Sequence, residues 1–167
     1  LAQSFSFPKK RFLNLQGSVR NALGFVRNIP QVRVVNGAPY AYFSVFNIEG
    51  DVRIQLVEIA LKDGTVAIID AANPGIETWK VNENGVPVAR SRYDQSSGRW
   101  AASLRRGANW PDVFQLQAPL DPPYVAGLTA DGQGLVVGVM GEDGYTHAEL
   151  RLDADPKPAF PDDGRLY

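Results

Sequence analysis

Glycine-containing turns recur along this chain at a nearly constant interval, and this recurrence restricts its fold more than any other feature. The first series precedes three strand-like segments, at intervals of 48 and 47 residues: Asn36-Gly37, Asn84-Gly85 and Asp131-Gly132. Asn-Gly and Asp-Gly favour hairpin turns, because such turns need a positive φ. The series therefore predicts the same hairpin at three places in the chain.

Two further turns repeat with the first. Gly50, Gly98 and Gly144 are separated by 48 and 46 residues, and Asp63-Gly64 has a looser counterpart at Gly107. A four-stranded unit that repeats every 40–50 residues or so is typical of a β-propeller blade. Coincidence in a chain with 16 glycines is the alternative.

The clearest unit covers residues 76–117. Its four predicted strands are separated by turns at 82–85, 94–98 and 107–109; they are Ile76–Val81, Val86–Tyr93, Arg99–Arg106 and Trp110–Gln117. Because side chains alternate along a strand, Val86, Val88, Arg90 and Arg92 of the second strand should point one way, and Pro87, Ala89, Ser91 and Tyr93 the other. Four short antiparallel strands cannot bury two faces alone, so the unit needs neighbours.

Two similar units flank this one. Residues 31–70 contain strand patterns at Gln31–Val35, Tyr40–Phe46, Val52–Leu61 and Thr65–Ile69, and the run YAYFSVF predicts a strand buried on both faces. Residues 124–153 contain three strands, and the proline-rich segment after Asp153 reads as an exit from the unit.

The predicted fold is therefore all-β, with antiparallel four-stranded meander repeats that amount to about two and a half propeller blades. The partial propeller would cover residues 31–167 and follow an N-terminal extension over residues 1–30. In that extension, apolar spacing over Phe12–Ile29 predicts a short helix, with an edge strand as the alternative. Because known propellers use 4–8 blades, the chain would belong to a longer protein, associate with copies of itself, or be a sandwich instead.

Composition excludes several classes of function. The formal net charge of −1 over 167 residues gives no general attraction to nucleic acid. There is no apolar run of about 18 residues, so no membrane span is predicted. Cysteine is absent, which removes thiol catalysis and thiolate metal sites. The first six residues, LAQSFS, are compatible with the end of a processed secretory signal, which favours a periplasmic or secreted location, or with a simple proteolytic boundary.

Residues 36–155 also resemble the N-terminal β-propeller of bacterial prolyl-oligopeptidase-family serine peptidases, in particular the acylaminoacyl- and dipeptidyl-peptidase-like branch. The motifs that carry the resemblance are Trp79, Asn84-Gly85, Val88-Ala89-Arg90, Gly98-Arg99-Trp100, Arg105-Arg106, Trp110, Gly127-Leu128 and Asp131-Gly132. The resemblance implies a propeller that gates peptide access to an α/β-hydrolase domain, and that domain is outside this chain.

No residue of the chain is assigned a catalytic role. The serine-nucleophile motif G-x-S-x-G does not occur, and His147, the single histidine, is interpreted as a surface residue of a strand. The acidic residues near the C-terminus, Asp153, Asp155, Asp162 and Asp163, lack EF-hand spacing and read as solvated loop residues. We expect no metal and no cofactor, and the chain is an enzyme only as part of a larger peptidase.

The candidate site residues belong to two sets. Arg90, Arg92 and Arg105 fall on neighbouring predicted strands and are assigned as substrate-facing groups that would meet a peptide carboxylate, with surface ion pairs as the alternative. Trp79, Trp100 and Trp110 are assigned to packing between blades. The expected partners are the hydrolase domain, peptides, or a second copy bound through exposed edge strands. The alternative function is a stand-alone envelope protein-binding module related to TolB-like propellers.

Overall fold

The computed structural model describes residues 29–47, 53–71 and 75–158. These residues form twelve β-strands and no helix. The first sheet consists of β1 (Gln31–Val35), β2 (Ala38–Asn47), β3 (Arg53–Ala60) and β4 (Val66–Ala71); the second of β5 (Ile76–Val81), β6 (Pro87–Asp94), β7 (Arg99–Leu104) and β8 (Asp112–Gln117); the third of β9 (Tyr124–Leu128), β10 (Leu135–Gly141), β11 (Gly144–Leu150) and β12 (Lys157–Pro158).

Each sheet is an antiparallel meander in which strands adjacent in sequence are adjacent in space. The predicted all-β fold of repeated four-stranded meanders is therefore confirmed. The helix predicted over Phe12–Ile29 lies almost entirely outside the described residues, as do the turn at Gly50 and the residues after Pro158. The assignment of residues 1–30 as an extension stays a prediction.

The turn glycines occupy equivalent places in the three sheets. Gly37, Gly85 and Gly132 lie between the first and second strands, with φ values of 77°, 75° and 68°. In the first of these turns Asn36 is also left-handed, at 51°, so the two residues that join β1 to β2 both have the positive φ that a type I′ hairpin requires. The spacing of the turns thus reported a real repeat of structure.

The third sheet differs from its prediction in one respect. The segment after Asp153 was expected to leave the unit, but Lys157 and Pro158 pair with Glu149 and Ala148 and add a fourth strand at the edge. A proline is tolerated on an edge strand because its missing N–H need not face a neighbour. The proline-rich composition concealed this strand in the sequence.

The chain divides into two compact units, one built on the first sheet and the other on the second and third sheets. In the first unit, Ala41, Tyr42, Ser44 and Val45 of β2 are all buried. Because successive residues of a strand point to opposite faces, β2 is covered on both faces, as the apolar run predicted.

In the second unit, the second and third sheets pack apolar face against apolar face. The second sheet contributes Ala89, Trp100, Ala102 and Leu104 to this core, and the third contributes Leu135, Val137 and Leu150. The burial of β6 alternates, with Pro87, Ala89 and Ser91 buried and the residues between them partly exposed. The opposite face of the second sheet therefore carries Arg90 and Arg92, and it positions the candidate site.

Candidate functional site: a charged cleft in the second unit

The predicted arginines lie near the start of β8, where they are fixed by local contacts. The Arg92 guanidinium donates to both carboxylate oxygens of Asp112, at 2.9 and 2.5 Å. The Arg90 guanidinium lies 4.5 Å from the centre of the Trp110 ring, and that of Arg105 lies 5.9 Å from it. The structure therefore brings Arg90 and Arg105 together on one indole ring and places Arg92 in an ion pair.

Arg105 is held from more than one side. Its Nε donates to the Gly107 carbonyl oxygen at 2.9 Å and its Nη1 donates to the Pro87 carbonyl oxygen at 3.3 Å. Neither acceptor carries a full charge, so these bonds orient the guanidinium without neutralising it. The side chain remains exposed. Of the three predicted substrate-facing groups, Arg105 is thus the one that presents an oriented positive charge to solvent.

The three tryptophans occupy two environments. Trp79 and Trp100 are fully buried, and Trp100 meets Phe114 edge to face at a ring distance of 6.3 Å inside the core between the second and third sheets. Trp110 is only partly buried and packs beneath the guanidinium groups of Arg90 and Arg105. Its position is that of a surface platform, which stabilises cations through the ring face.

An open cleft of about 480 Å³ begins directly after Trp110. We call it the charged cleft; it is lined by Pro111, Asp112, Val113, Arg151, Leu152, Asp153, Ala154 and Asp155. One wall is the start of β8 and the other is the segment between β11 and β12. An ion pair between Arg106 and Asp153 joins the β7–β8 turn to that second segment.

Asp112 is saturated with donors. Besides Arg92, its carboxylate accepts from the Ser103 hydroxyl at 2.8 Å and from the Gln115 amide at 2.8 Å. The pairing of β7 with β8 sets Ser103 directly opposite Asp112, and the neighbouring strand β6 supplies the arginine. This carboxylate therefore fixes three strands to one another and is occupied by structural contacts.

The opposite wall is organised by Arg151. Its guanidinium donates to Asp131 at 2.8 Å and also to Glu149. Asp131 accepts hydrogen bonds from the Thr129 hydroxyl, the Arg151 guanidinium and the backbone N–H of Gln133. Together these donors hold the pKa of the Asp131 carboxyl well below its usual range. The same two carboxylates raise the pKa of Arg151.

After these pairings, the acidic residue that lines the charged cleft without a partner among the described residues is Asp155, and the wall organised by Arg151 is itself net negative because one guanidinium pairs with two carboxylates. Its side chain is exposed and has no hydrogen-bond or ion-pair partner in the part of the chain that the structure describes. Pro111, Val113, Leu152 and Ala154 add apolar surface around it. The residues that line the cleft include no serine, threonine or histidine.

Sequence reasoning missed this cleft. Asp153 and Asp155 are exposed residues between β11 and β12, in agreement with the prediction of solvated loop residues, but that prediction gave no indication that they line a cleft. The signal available beforehand was Asp112, an acidic residue in the predicted strand Trp110–Gln117 of the same meander as Arg92. Nothing in the sequence indicated that the segment after β11 would return to face it.

Two kinds of feature are absent from the described residues. They contain no helix with the length and hydropathy that a bilayer crossing needs. Within the same residues, no three histidine or acidic side chains come together as ligands for a metal ion. Comparison of the chain with protein-family models, with curated proteins and with solved structures gave no match.

Proposed function

We propose that this chain is a non-catalytic propeller segment of a prolyl-oligopeptidase-like serine peptidase, and that it gates and orients peptides for a hydrolase domain outside the chain. The observation that carries the proposal is the packing of two consecutive four-stranded meanders face to face through Trp100 and its neighbours. Consecutive blades of a propeller are four-stranded sheets arranged around a channel. The motif resemblance of residues 36–155 supports the same assignment.

The charged cleft supports a role in contacting peptides. It combines an apolar surface with the exposed carboxylate of Asp155, and the neighbouring Arg105 presents an oriented cation beside Trp110. A peptide offers amide, apolar and charged groups that match such a surface.

The test uses the native gene product. Its intact mass is measured, and the same sample is treated with a fluorophosphonate probe that labels active serine hydrolases. We expect a labelled protein well above 18.2 kDa, because the chain would be one segment of a peptidase. An unlabelled product of 18.2 kDa would overturn the proposal.

A second function, a protein-binding module, is favoured by the edge of the first sheet. Within the described residues, strand β1 pairs with β2 and is the outermost strand of its sheet, and Val32 and Val34 are exposed on it. An exposed apolar edge strand is a site where a further strand can be added. Light scattering of the purified chain would test this: association that disappears in the Val32→Lys/Val34→Lys variant favours the module, and a monomer at all concentrations argues against self-association.

A further inference from the structure

The outward face of the third sheet carries a group of aromatic side chains that the proposed function does not use. Leu135, Val137 and Leu150 point into the core against the second sheet. Gly138 follows Val137 in β10 and therefore belongs to the opposite face. It is paired with Tyr124 of β9 on one side and with His147 of β11 on the other. Since side chains alternate along a strand, Tyr124 and His147 belong to the opposite face.

Three rings meet on this face, and we call them the aromatic corner: Tyr124, Tyr145 and His147. The Tyr124 ring lies 5.3 Å from the Tyr145 ring at 68° and 6.0 Å from the His147 ring at 86°. The Tyr124 hydroxyl is 2.9 Å from Nε2 of His147, so a hydrogen bond fixes the position of one ring relative to the other. The rings are thus set at steep angles to one another.

The aromatic corner is open to solvent. The Tyr124 ring passes over Gly138, where a Cβ atom would lie 2.3 Å from its Cε1, so one side of the ring rests on the backbone. Tyr124 is nevertheless 43% exposed and Tyr145 47% exposed. Ring surface is therefore available next to two rings that are already fixed in place, which reduces the entropy lost when a ligand binds.

The charges around the aromatic corner favour a cation. Glu142 and Asp143 form the turn that leads into β11 next to Tyr145; both are exposed, and neither has a hydrogen-bond or ion-pair partner in the described ranges. Strands β9, β10 and β11 contain no lysine or arginine. Lys157 of β12 is on the same face and is paired with Glu149, so it lies opposite a carboxylate two residues along β11 from His147. The negative potential of two carboxylates adds to that of the ring faces.

We propose that the aromatic corner is a binding site for an organic cation of the alkylammonium class. Several aromatic rings at steep angles, with carboxylates nearby, are the arrangement that recognises quaternary ammonium groups, because the ring faces are negative and the cation is weakly hydrated. Tyr124 and Tyr145 supply the ring faces, His147 orients Tyr124, and Glu142 and Asp143 supply the long-range attraction. The site is separate from the charged cleft and does not depend on the proposed function.

The experiment uses the single histidine as a reporter. Because the chain contains one imidazole, its ring-proton NMR signals belong to His147 without further assignment. The full chain is titrated with choline chloride and, separately, with 3,3-dimethyl-1-butanol, which has the same shape without the charge. We expect a saturable shift of the His147 signals with choline and a binding constant for the neutral alcohol that is weaker by about fivefold or more.

Variants separate the parts of the site. Tyr145→Ala should weaken choline binding by about fivefold, since a ring face is lost. The double variant Glu142→Gln/Asp143→Asn changes only an exposed turn, so it should fold normally even if Tyr145→Ala does not. It should weaken choline binding at low salt only, because salt screens the attraction of exposed carboxylates. Trp110→Ala, which removes an exposed ring elsewhere, should leave binding unchanged. Equal response to choline and the alcohol, no saturation, or no effect of both the Tyr145 and the turn variants would overturn the proposal.

Discussion

Glycine is required at position 138 because an aromatic ring occupies the place of its side chain. A Cβ atom there would lie 2.3 Å from Cε1 of Tyr124, well inside van der Waals contact. Gly138 does not have the left-handed φ of the turn glycines, so its requirement is purely steric. Gly134, four residues earlier, is limited by backbone and not by a ring: a Cβ atom there would lie 2.8 Å from the Leu150 carbonyl oxygen of β11.

These two glycines give a prediction at the scale of single residues. Gly138→Ala should displace the partly exposed Tyr124 ring and break its contact with His147, which the imidazole NMR signal would report, at a cost in stability of about 1 kcal/mol. Gly134→Ala should cost more, because a backbone atom cannot move aside as a ring can. In a Tyr124→Ala background the Gly138 substitution should have little further effect. If its cost persists there, the ring is not the obstacle.

Tyr42 gives a second prediction at this scale. Its phenol is buried and its hydroxyl donates to Glu58 at 2.7 Å, and both burial and this carboxylate raise the pKa of Tyr42 well above 10. In the unfolded chain a tyrosine ionises near pH 10. A raised pKa in the folded state means stability that is complete below about pH 10 and is lost as the pH rises further.

The measurement compares denaturant unfolding at pH 9 and pH 11 in the wild type and in Tyr42→Phe. We expect the wild type to lose more stability than the variant between the two pH values, because the variant has no phenol to ionise. The other tyrosines contribute equally to both proteins and cancel in the difference. Equal losses would contradict the assignment.

At the scale of strands, Asp112 is the point that ties β6, β7 and β8 together. Arg92, Ser103 and Gln115 all donate to its carboxylate, and its side chain is 16% exposed. Asp153 offers a matched comparison, since it also pairs with an arginine but is 76% exposed. Both are arginine–aspartate pairs, but the Asp112 carboxylate is more buried and accepts two further side-chain hydrogen bonds.

We predict that Asp112→Ala lowers the free energy of unfolding by about 2 kcal/mol, because the nearly buried Ser103 hydroxyl and the Arg92 guanidinium lose their acceptor. Asp153→Ala should cost no more than about 0.5 kcal/mol, as exposed ion pairs contribute little. Chemical denaturation of both variants measures the difference. Similar losses for the two would show that Asp112 does not act as a structural centre.

Strand positions were predictable at this scale, and sites were not. The turns at Asn36-Gly37 and Gly98 follow from the local need for a positive φ, so the strands on either side of them could be placed from the sequence. The pairing of Lys157 with Glu149 depends on where the chain returns after a proline-rich segment, which no local rule determines. The charged cleft and the aromatic corner are products of such pairings, and their residues are far apart in the sequence.

At the scale of the whole molecule, the core around Trp100 joins two meanders that would each be marginal alone. Trp100 is fully buried there, whereas Trp110 is a surface residue under two guanidinium groups. Trp100→Ala should therefore cost about 3–5 kcal/mol and loosen both the second and the third sheets. Trp110→Ala should cost much less.

Hydrogen exchange followed by mass spectrometry would check this, since it reports each strand separately. Faster exchange in peptides from β6–β7 and from β10–β11 of the Trp100 variant, with the Trp110 variant close to wild type, is the expected result. Faster exchange confined to the second sheet would mean that the two meanders do not depend on one core.

The contact between Tyr124 and Gly138 also restricts how the sequence can vary among relatives of this chain. Because the Tyr124 ring fills the space that a side chain at position 138 would occupy, the residues at these two positions depend on each other, and substitutions there should be correlated among relatives. In relatives of this chain, a larger residue at 138 should accompany a smaller one at 124, and tyrosine at 124 should accompany glycine at 138. Such paired changes would mark the third meander in sequences that have diverged too far for the turn glycines alone to identify it.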